Sequence, residues 1–242
     1  MKRLGRIQAW ILLSVCGAVA GCAGKADSSG PLTNEQNTAK SRLESQMEQA
    51  ARTKQTYHAM NNTELLQKLI EQSKARREPF NSPAYRELKE RRDIDAKALV
   101  AMVKENNSAG GLLPLLLLRN VDDKSYLEVP GKLRAKILTD ALQTSKYFNA
   151  WGLPNFYLED ASRALIETGK DASPELRRLL SDTRPAPVFG SQEYMVYQQY
   201  KYRVCDYALF FLEQIAGKQE FRLPVSPTER DAAIGQMAAH QK

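Results

Sequence analysis

Few residues of this chain have the types and spacing that chemistry needs. There are two histidines, His58 and His240, and three cysteines, Cys16, Cys22 and Cys205. No Cys-x-x-Cys pair and no His-Glu-x-x-His occurs, so the ligand spacing of a zinc site is missing. Gly110-Gly111 lacks the lysine and the spacing of a phosphate loop. There is no Gly-x-Ser-x-Gly elbow, and a serine nucleophile would depend on one of two histidines at the periphery of the sequence. The sequence therefore points to no cofactor and no metal. Carboxylates remain, as the pairs Asp93/Asp95, Asp122/Asp123 and Glu159/Asp160. Paired carboxylates hydrolyse glycosides when a cleft holds them at a set distance. On a polar helix face or a loop they are only solvated, so no catalytic residue is expected.

One cluster stands apart. GSQEYMVYQQYKYRVCDY holds five of the ten tyrosines, between Tyr194 and Tyr207. Tyr194, Tyr197 and Tyr200 follow one another at three-residue steps. On a helix this lays them roughly along one stripe, which Arg203 extends by a further step. Tyrosine and arginine are favoured at contact surfaces because they give large area with a polar end. A tyrosine stripe equally packs on a neighbouring helix with its hydroxyls at the rim. Both uses are open, and Tyr194, Tyr197, Tyr200 and Arg203 form the candidate partner surface. Asp206 on the same helix is placed to pair with Arg203 or a tyrosine hydroxyl.

The first residues carry chemistry of another kind. Lys2, Arg3 and Arg6 precede the uncharged run IQAWILLSVCGAVAG. Its strongly apolar part, Ala9 to Ala20, is shorter than the roughly 20 residues a spanning helix needs. Gly17 and Gly21 weaken it further as a helix. A positive start, a short apolar middle and small residues at the end are the layout of a secretory signal. Val19-Ala20-Gly21-Cys22 resembles the lipobox of bacterial lipoproteins. The resemblance implies a diacylglycerol on the Cys22 thiol, cleavage after residues 1–21, and acylation of the new amine. Cys16 competes poorly, because Val15 precedes it where the motif has a small residue. Ala23, in place of aspartate, implies the outer membrane in Gram-negative members of that family. Two or more acyl chains anchor stably where one holds only marginally. The expected location is the periplasmic face of the outer membrane, with the membrane itself as a partner through Cys22.

The chain has 35 Lys and Arg against 28 Asp and Glu, a net +7. Without residues 1–21, which hold three basic and no acidic residues, the excess falls to +4. This mild excess is spread along the chain. It suits an anionic lipid surface or cell-wall polymer. It lacks the basic block and the motifs of a nucleic-acid binder. With Cys16 removed and Cys22 acylated, Cys205 stands alone, and no intrachain disulfide is possible. Cys205 lies in an apolar helical run and is expected as a small buried hydrophobe.

Stepping along the chain, residues 22–61 read as a polar tether and neck, and 62–242 as one helical domain. Asn62 or Thr63 is expected to cap a helix with Leu65, Leu66, Leu69 and Ile70 on one face. Ser82-Pro83 starts a long helix running past Leu99 and Val103. GGLLPLLLLRN is read as a buried helix rather than a strand. Pro130-Gly131 starts a helix with Leu133, Ile137, Leu138, Ala141 and Leu142 on one face. FNAWGLPN is a turn-rich break. Tyr157 to Thr168 is helical, with Gly169 at a position that favours a left-handed cap. Ser173-Pro174 opens the next helix, RPAPVFGS is a loop, and Glu193 to Ala216 forms one long helix before Gly217. Ser226-Pro227-Thr228-Glu229 starts a last polar helix.

The segment EDASRALIETGKDASPELRRLLSD resembles a HEAT-type repeat: a small-residue helix, a glycine turn and a proline-led helix with Leu176, Leu179 and Leu180. YRVCDYALFFLEQIAG and AKALVAMVKENNSAGGLLPLLLL look like partial copies. Repeats of about 40–47 residues suit that family. The expected fold is all-α, either an irregular α-solenoid of HEAT-like pairs or a helical bundle, after a signal peptide and polar neck. The expected function is a lipid-anchored, non-enzymatic binding or scaffolding module with a protein partner in the envelope. The alternative is a lipoprotein that binds or hydrolyses cell-wall glycan, with peptidoglycan as its partner.

Overall fold

The computed structural model describes residues 34–74, 82–91, 93–144, 150–186 and 194–239. The lipobox with Cys16 and Cys22, together with His240, lies outside them. The chain divides into two units, 1–48 and 49–242. Helix α1 spans Asn34–Ala59. In the first unit its described side chains are exposed, Leu43 and Met47 included, as expected of a polar segment without an apolar stripe.

Caps decide where the next helices begin. The Asn61 side chain accepts the Glu64 N–H at 2.9 Å, and the Asn61 N–H donates to the Glu64 carboxylate at 2.8 Å. This reciprocal pair starts α2 (Asn62–Lys74) one residue ahead of the expected cap. Ser82 accepts the Tyr85 N–H at 3.1 Å and starts α3 (Pro83–Glu90), as its proline predicts. The single long helix expected beyond it is two helices. Arg91 is extended, Ile94 drops into the core, and the Asp95 carboxylate caps α4 (Ala96–Glu105) at the Lys97 N–H, 2.9 Å. Aspartate competes for backbone amides, which makes it a better cap than helix interior.

A 3₁₀ turn, Ala109–Gly111, leads into α5 (Leu112–Val121), where Leu112 through Leu118 are all buried. The leucine run is therefore a helix enclosed on every side. Asp122 caps α6 (Asp123–Glu128), and α7 spans Gly131–Thr144 with Ile137, Leu138, Ala141 and Leu142 in the core.

Strands β1 (Gly152–Leu153) and β2 (Tyr157–Leu158) form a two-stranded antiparallel hairpin. Gly152 has φ +75°, and a Cβ there would stand 2.4 Å from the Tyr157 carbonyl oxygen. Glycine is thus required at this corner. Asn155, also at positive φ, donates to the Leu223 carbonyl at 2.9 Å and accepts its N–H at 2.8 Å. These ties hold Tyr157 in the hairpin, so α8 starts later than expected, at Asp160 (Asp160–Thr168). Gly169 at φ +63° closes it, and a 3₁₀ turn (Gly169–Ala172) leads into α9 (Ser173–Leu179).

The long helix expected over Glu193–Ala216 is also two, α10 (Tyr194–Tyr200) and α11 (Val204–Ile215). Lys201 takes φ +48°, and the chain then runs extended beside residues 182–186. The Ala186 N–H bonds Tyr202 O, Val204 N–H bonds Arg184 O, and Cys205 N–H bonds Asp182 O, each at 2.9 Å. Satisfying these backbone groups outweighs continuing the helix. Helix α12 spans Pro227–Ala239.

The fold is all-α, with the hairpin as its one sheet among the described residues. The buried α5 is one centre, packed by α3, α4, α6, α7 and α8. The apolar α11 is the other, packed by α8, α9 and α12.

Candidate binding groove

The four residues of the tyrosine stripe do not share a face. Tyr194 is 58% exposed and Tyr197 half-buried, whereas Tyr200 is 9% exposed. The helix stops at Tyr200, so Arg203 falls off its register and becomes the N-cap of α11. Tyr200 begins an aromatic row leading inward. It meets Phe156 edge-on at 5.8 Å and stacks on Tyr202 at 4.9 Å; Tyr202 meets Tyr207 at 5.7 Å, and Phe211 and Trp151 follow. Tyr202 Oη donates to Pro154 O at 2.8 Å and Tyr207 Oη to Gly152 O at 2.6 Å. Buried tyrosines need such partners, and here they fasten the hairpin to α11. Burial pushes the Tyr202 hydroxyl pKa well up.

Beneath this row lies a cluster of charges. Asp206 and Arg230 are fully buried, with Arg230 Nε 3.1 Å from Asp206 Oδ1. Arg230 also donates to Pro224 O (2.9 Å), Val225 O (2.7 Å) and Tyr200 O (2.7 Å). The Arg203 N–H donates to Asp206 Oδ2 at 2.8 Å, and its guanidinium reaches Asp206 Oδ1 at 2.8 Å and Asp231 Oδ1 at 2.7 Å. The hydrogen bonds that Arg203 donates to Asp206, then to Asp231, push its pKa upward. A buried charge is tolerated when paired and hydrogen-bonded: Asp206 accepts from Arg203, and Arg230 donates through both terminal nitrogens, its Nε facing Asp206 as a charge contact only. Cys205, beside Asp206, is buried as expected, and burial pushes its thiol up to about 11. Such a thiol is inert at neutral pH.

A concavity of about 800 Å³ opens between α9, the end of α11 and α12. Leu212, Ile215, Phe221 and Met237 give it an apolar floor. Lys170, Arg177 and Lys218 give it a basic rim. Lys218 Nζ pairs with the nearly buried Glu213 at 2.8 Å. Lys170 and Arg177 are exposed and enter no ion pair among the described residues, whereas the adjacent Arg178 pairs with Glu175. The volume falls within the roughly 300–1,000 Å³ of ligand sites, and a mixed apolar and polar lining is their usual make-up. None of these residues is marked by sequence alone. The Arg177-Arg178 pair between Leu176 and Leu179 was the one available signal, since two adjacent arginines on a core-packed helix cannot both face one acidic neighbour.

Each carboxylate pair has a member with a structural role. Asp95 and Asp122 cap helices, and Asp160 lies 2.7 Å from Lys89 Nζ. Glu159 and Asp160 border a smaller pocket of about 220 Å³ with Tyr85, Arg86 and Lys89. Burial pushes the Tyr85 hydroxyl pKa up. His58, at the end of α1, lies 3.0 Å from Glu87 Oε1, and Arg91 donates to the same carboxylate at 3.1 Å. Burial would raise the Glu87 pKa, but these two hydrogen bonds outweigh it and hold it below its ordinary value. Among the described residues no group of three or more His, Cys, Asp and Glu could hold a metal ion, and no helix is long and apolar enough to cross a membrane. No family model matches the chain, and comparison with curated proteins and with solved structures gives no match.

Proposed function

We propose that this chain is an anchored, non-enzymatic binding module, held at the outer membrane by lipid on Cys22 and receiving a protein partner in the groove between α9, α11 and α12. The groove carries the reading: its floor is apolar, its rim basic, and its volume of about 800 Å³ is that of a ligand site. The anchor rests on the lipobox resemblance of Val19 to Cys22. Two helix pairs support a HEAT-like body. In both α8–α9 and α11–α12 a positive-φ glycine follows the first helix and a serine–proline pair starts the second. Proteins built from such pairs bind along extended surfaces.

The test is fractionation and cross-linking in the natural host, with Cys22→Ser as the control. The expected result is a detergent-dependent membrane protein of lipidated mass, cross-linked to one dominant envelope protein. Both properties are expected to be lost in Cys22→Ser. An unmodified mass with unchanged fractionation would remove the anchor, and no reproducible protein cross-link would remove the module. The competing glycan reading has the pocket beside Glu159 and Asp160 in its favour. Retention on purified peptidoglycan that Glu159→Ala abolishes would establish it instead.

A further inference from the structure

We infer that the occupant of the groove is an acidic amphipathic segment of a protein partner, seated with apolar side chains on the floor and carboxylates against Lys170 and Arg177. The inference rests on the binding-module reading and adds the chemistry of the partner. Charge is the first argument. The rim has three cations, and the single carboxylate among the lining residues, Glu213, is already taken by Lys218 at 2.8 Å. Exposed cations elsewhere are of both kinds: Arg163, Arg178 and Arg184 pair with Asp160, Glu175 and Asp182, whereas Lys97, Lys104, Lys132 and Arg222 enter no ion pair among the described residues. What sets Lys170 and Arg177 apart is their place: both border one apolar hollow, neither enters an ion pair among the described residues, and together they leave its lining with a net positive charge that an anionic occupant would balance. Complementary rim charge of this kind steers encounter and selects partners.

Shape is the second argument. Ile215, Phe221 and Met237 are each part-exposed on the floor, an apolar surface of the kind an amphipathic segment covers with one face. Its floor is reached by solvent, since these three side chains are only part-buried. An acyl chain lying there would keep much of its length in water, which removes the gain that draws it out of solution. A peptide segment instead turns its polar side outward and loses nothing by that exposure.

The experiment uses the full-length lipidated protein in its host, with Gln236→p-benzoylphenylalanine as the photoreactive probe in the groove and Tyr194→p-benzoylphenylalanine as the probe outside it. The expected adduct at position 236 is one partner peptide with net negative charge and apolar residues at helical spacing. Its yield falls about fivefold or more with Lys170→Glu plus Arg177→Glu, and holds with Lys170→Arg plus Arg177→Lys. Both positions are exposed, so an unchanged melting curve confirms that the reversal leaves the fold intact. An adduct of phospholipid mass, a neutral or basic peptide, a second copy of this chain, or a yield indifferent to charge reversal overturns the inference. A protein adduct at 194 with none at 236 overturns it, and the groove as the docking place with it, while leaving an anchored binding module standing. No protein adduct at either position removes both.

Discussion

Helix α8 ends at Gly169 (φ +63°) and α11 runs out at Gly217 (φ +86°), and a serine–proline pair starts the helix that follows each. The two following helices are held by different forces. Helix α9 sinks Leu176 and Leu179 into the core, against α11. Helix α12 leaves Ala233, Ile234 and Met237 only part-buried, and its one fully buried side chain is Arg230. Apolar burial is non-directional and shared among neighbours. A buried ion pair is directional, and removing one partner strands the other. The same punctuation therefore produces a helix fused to the core and a helix pinned at one point, and these two helices are the walls of the groove.

Arg230→Ala should have the largest effect. It removes one of the two cations that face the fully buried Asp206 carboxylate, Arg203 being the other, and takes the Arg230 donors from the carbonyls of Tyr200, Pro224 and Val225. Breaking a buried pair costs about 3–5 kcal/mol when the remaining charge is uncompensated, and because Arg203 stays on Asp206 the loss should fall toward the lower end. Hydrogen exchange should show residues 227–239 losing protection before 173–179 does. Equal loss in both helices would break the comparison. Leu176→Ala comes next, at about 2–4 kcal/mol for a fully buried leucine. Its loss should be global, with a lower urea midpoint and an unchanged slope. Selective release of α9 would show that it too is locally pinned.

Much of this was legible in the sequence. The Ser-Pro starts, the leucine helix and the all-α class follow from local chemistry that tertiary contacts leave intact. The two long helices failed where a tertiary contact outbid helix propensity. At Arg91–Asp95 a buried Ile94 and a capping Asp95 break the chain. At Lys201–Arg203 backbone pairing with residues 184–186 does so. The second break also removed Arg203 from the tyrosine stripe, because a register argument holds only as far as the helix does. Arg230 was invisible for a related reason. In Glu229-Arg230-Asp231 each residue reads as solvated charge, and only the approach of Asp206 from α11 turns the middle one into an anchor.

A smaller effect tests the apolar side of the comparison through pH. Asp182 follows α9, and hydrogen bonds from Arg184, then from Gln143, hold its carboxyl at about 2 against the ordinary 3.8. The folded pKa is depressed, so the contribution is present above the unfolded value and is lost as pH falls through about 2. Arg184 is largely exposed and water screens the pair, which keeps the contribution small. Urea midpoints of the unmodified chain and Asp182→Asn should differ at pH 5 and converge near pH 2. A gap that persists at pH 2 would assign the effect to the amide itself rather than to charge.

Asp231→Ala should have the smallest effect, and it separates the ionic anchor from its surroundings. Asp231 bonds Arg203 at 2.7 Å but is 58% exposed, so its charge remains hydrated without the bond. Exposed pairs of this kind contribute about 0–1 kcal/mol. Arg203 keeps Asp206 as its main partner, so removing Asp231 strands no charge. The substitution should therefore leave the protection of α12 unchanged, although Asp231 lies one residue from Arg230 on the same helix. A loss near that of Arg230→Ala would mean that α12 is held by the whole charge cluster, with the buried contact as one part of a network. A negligible loss places the hold on α12 in Arg230 itself, through Asp206 and the three carbonyls to which it donates.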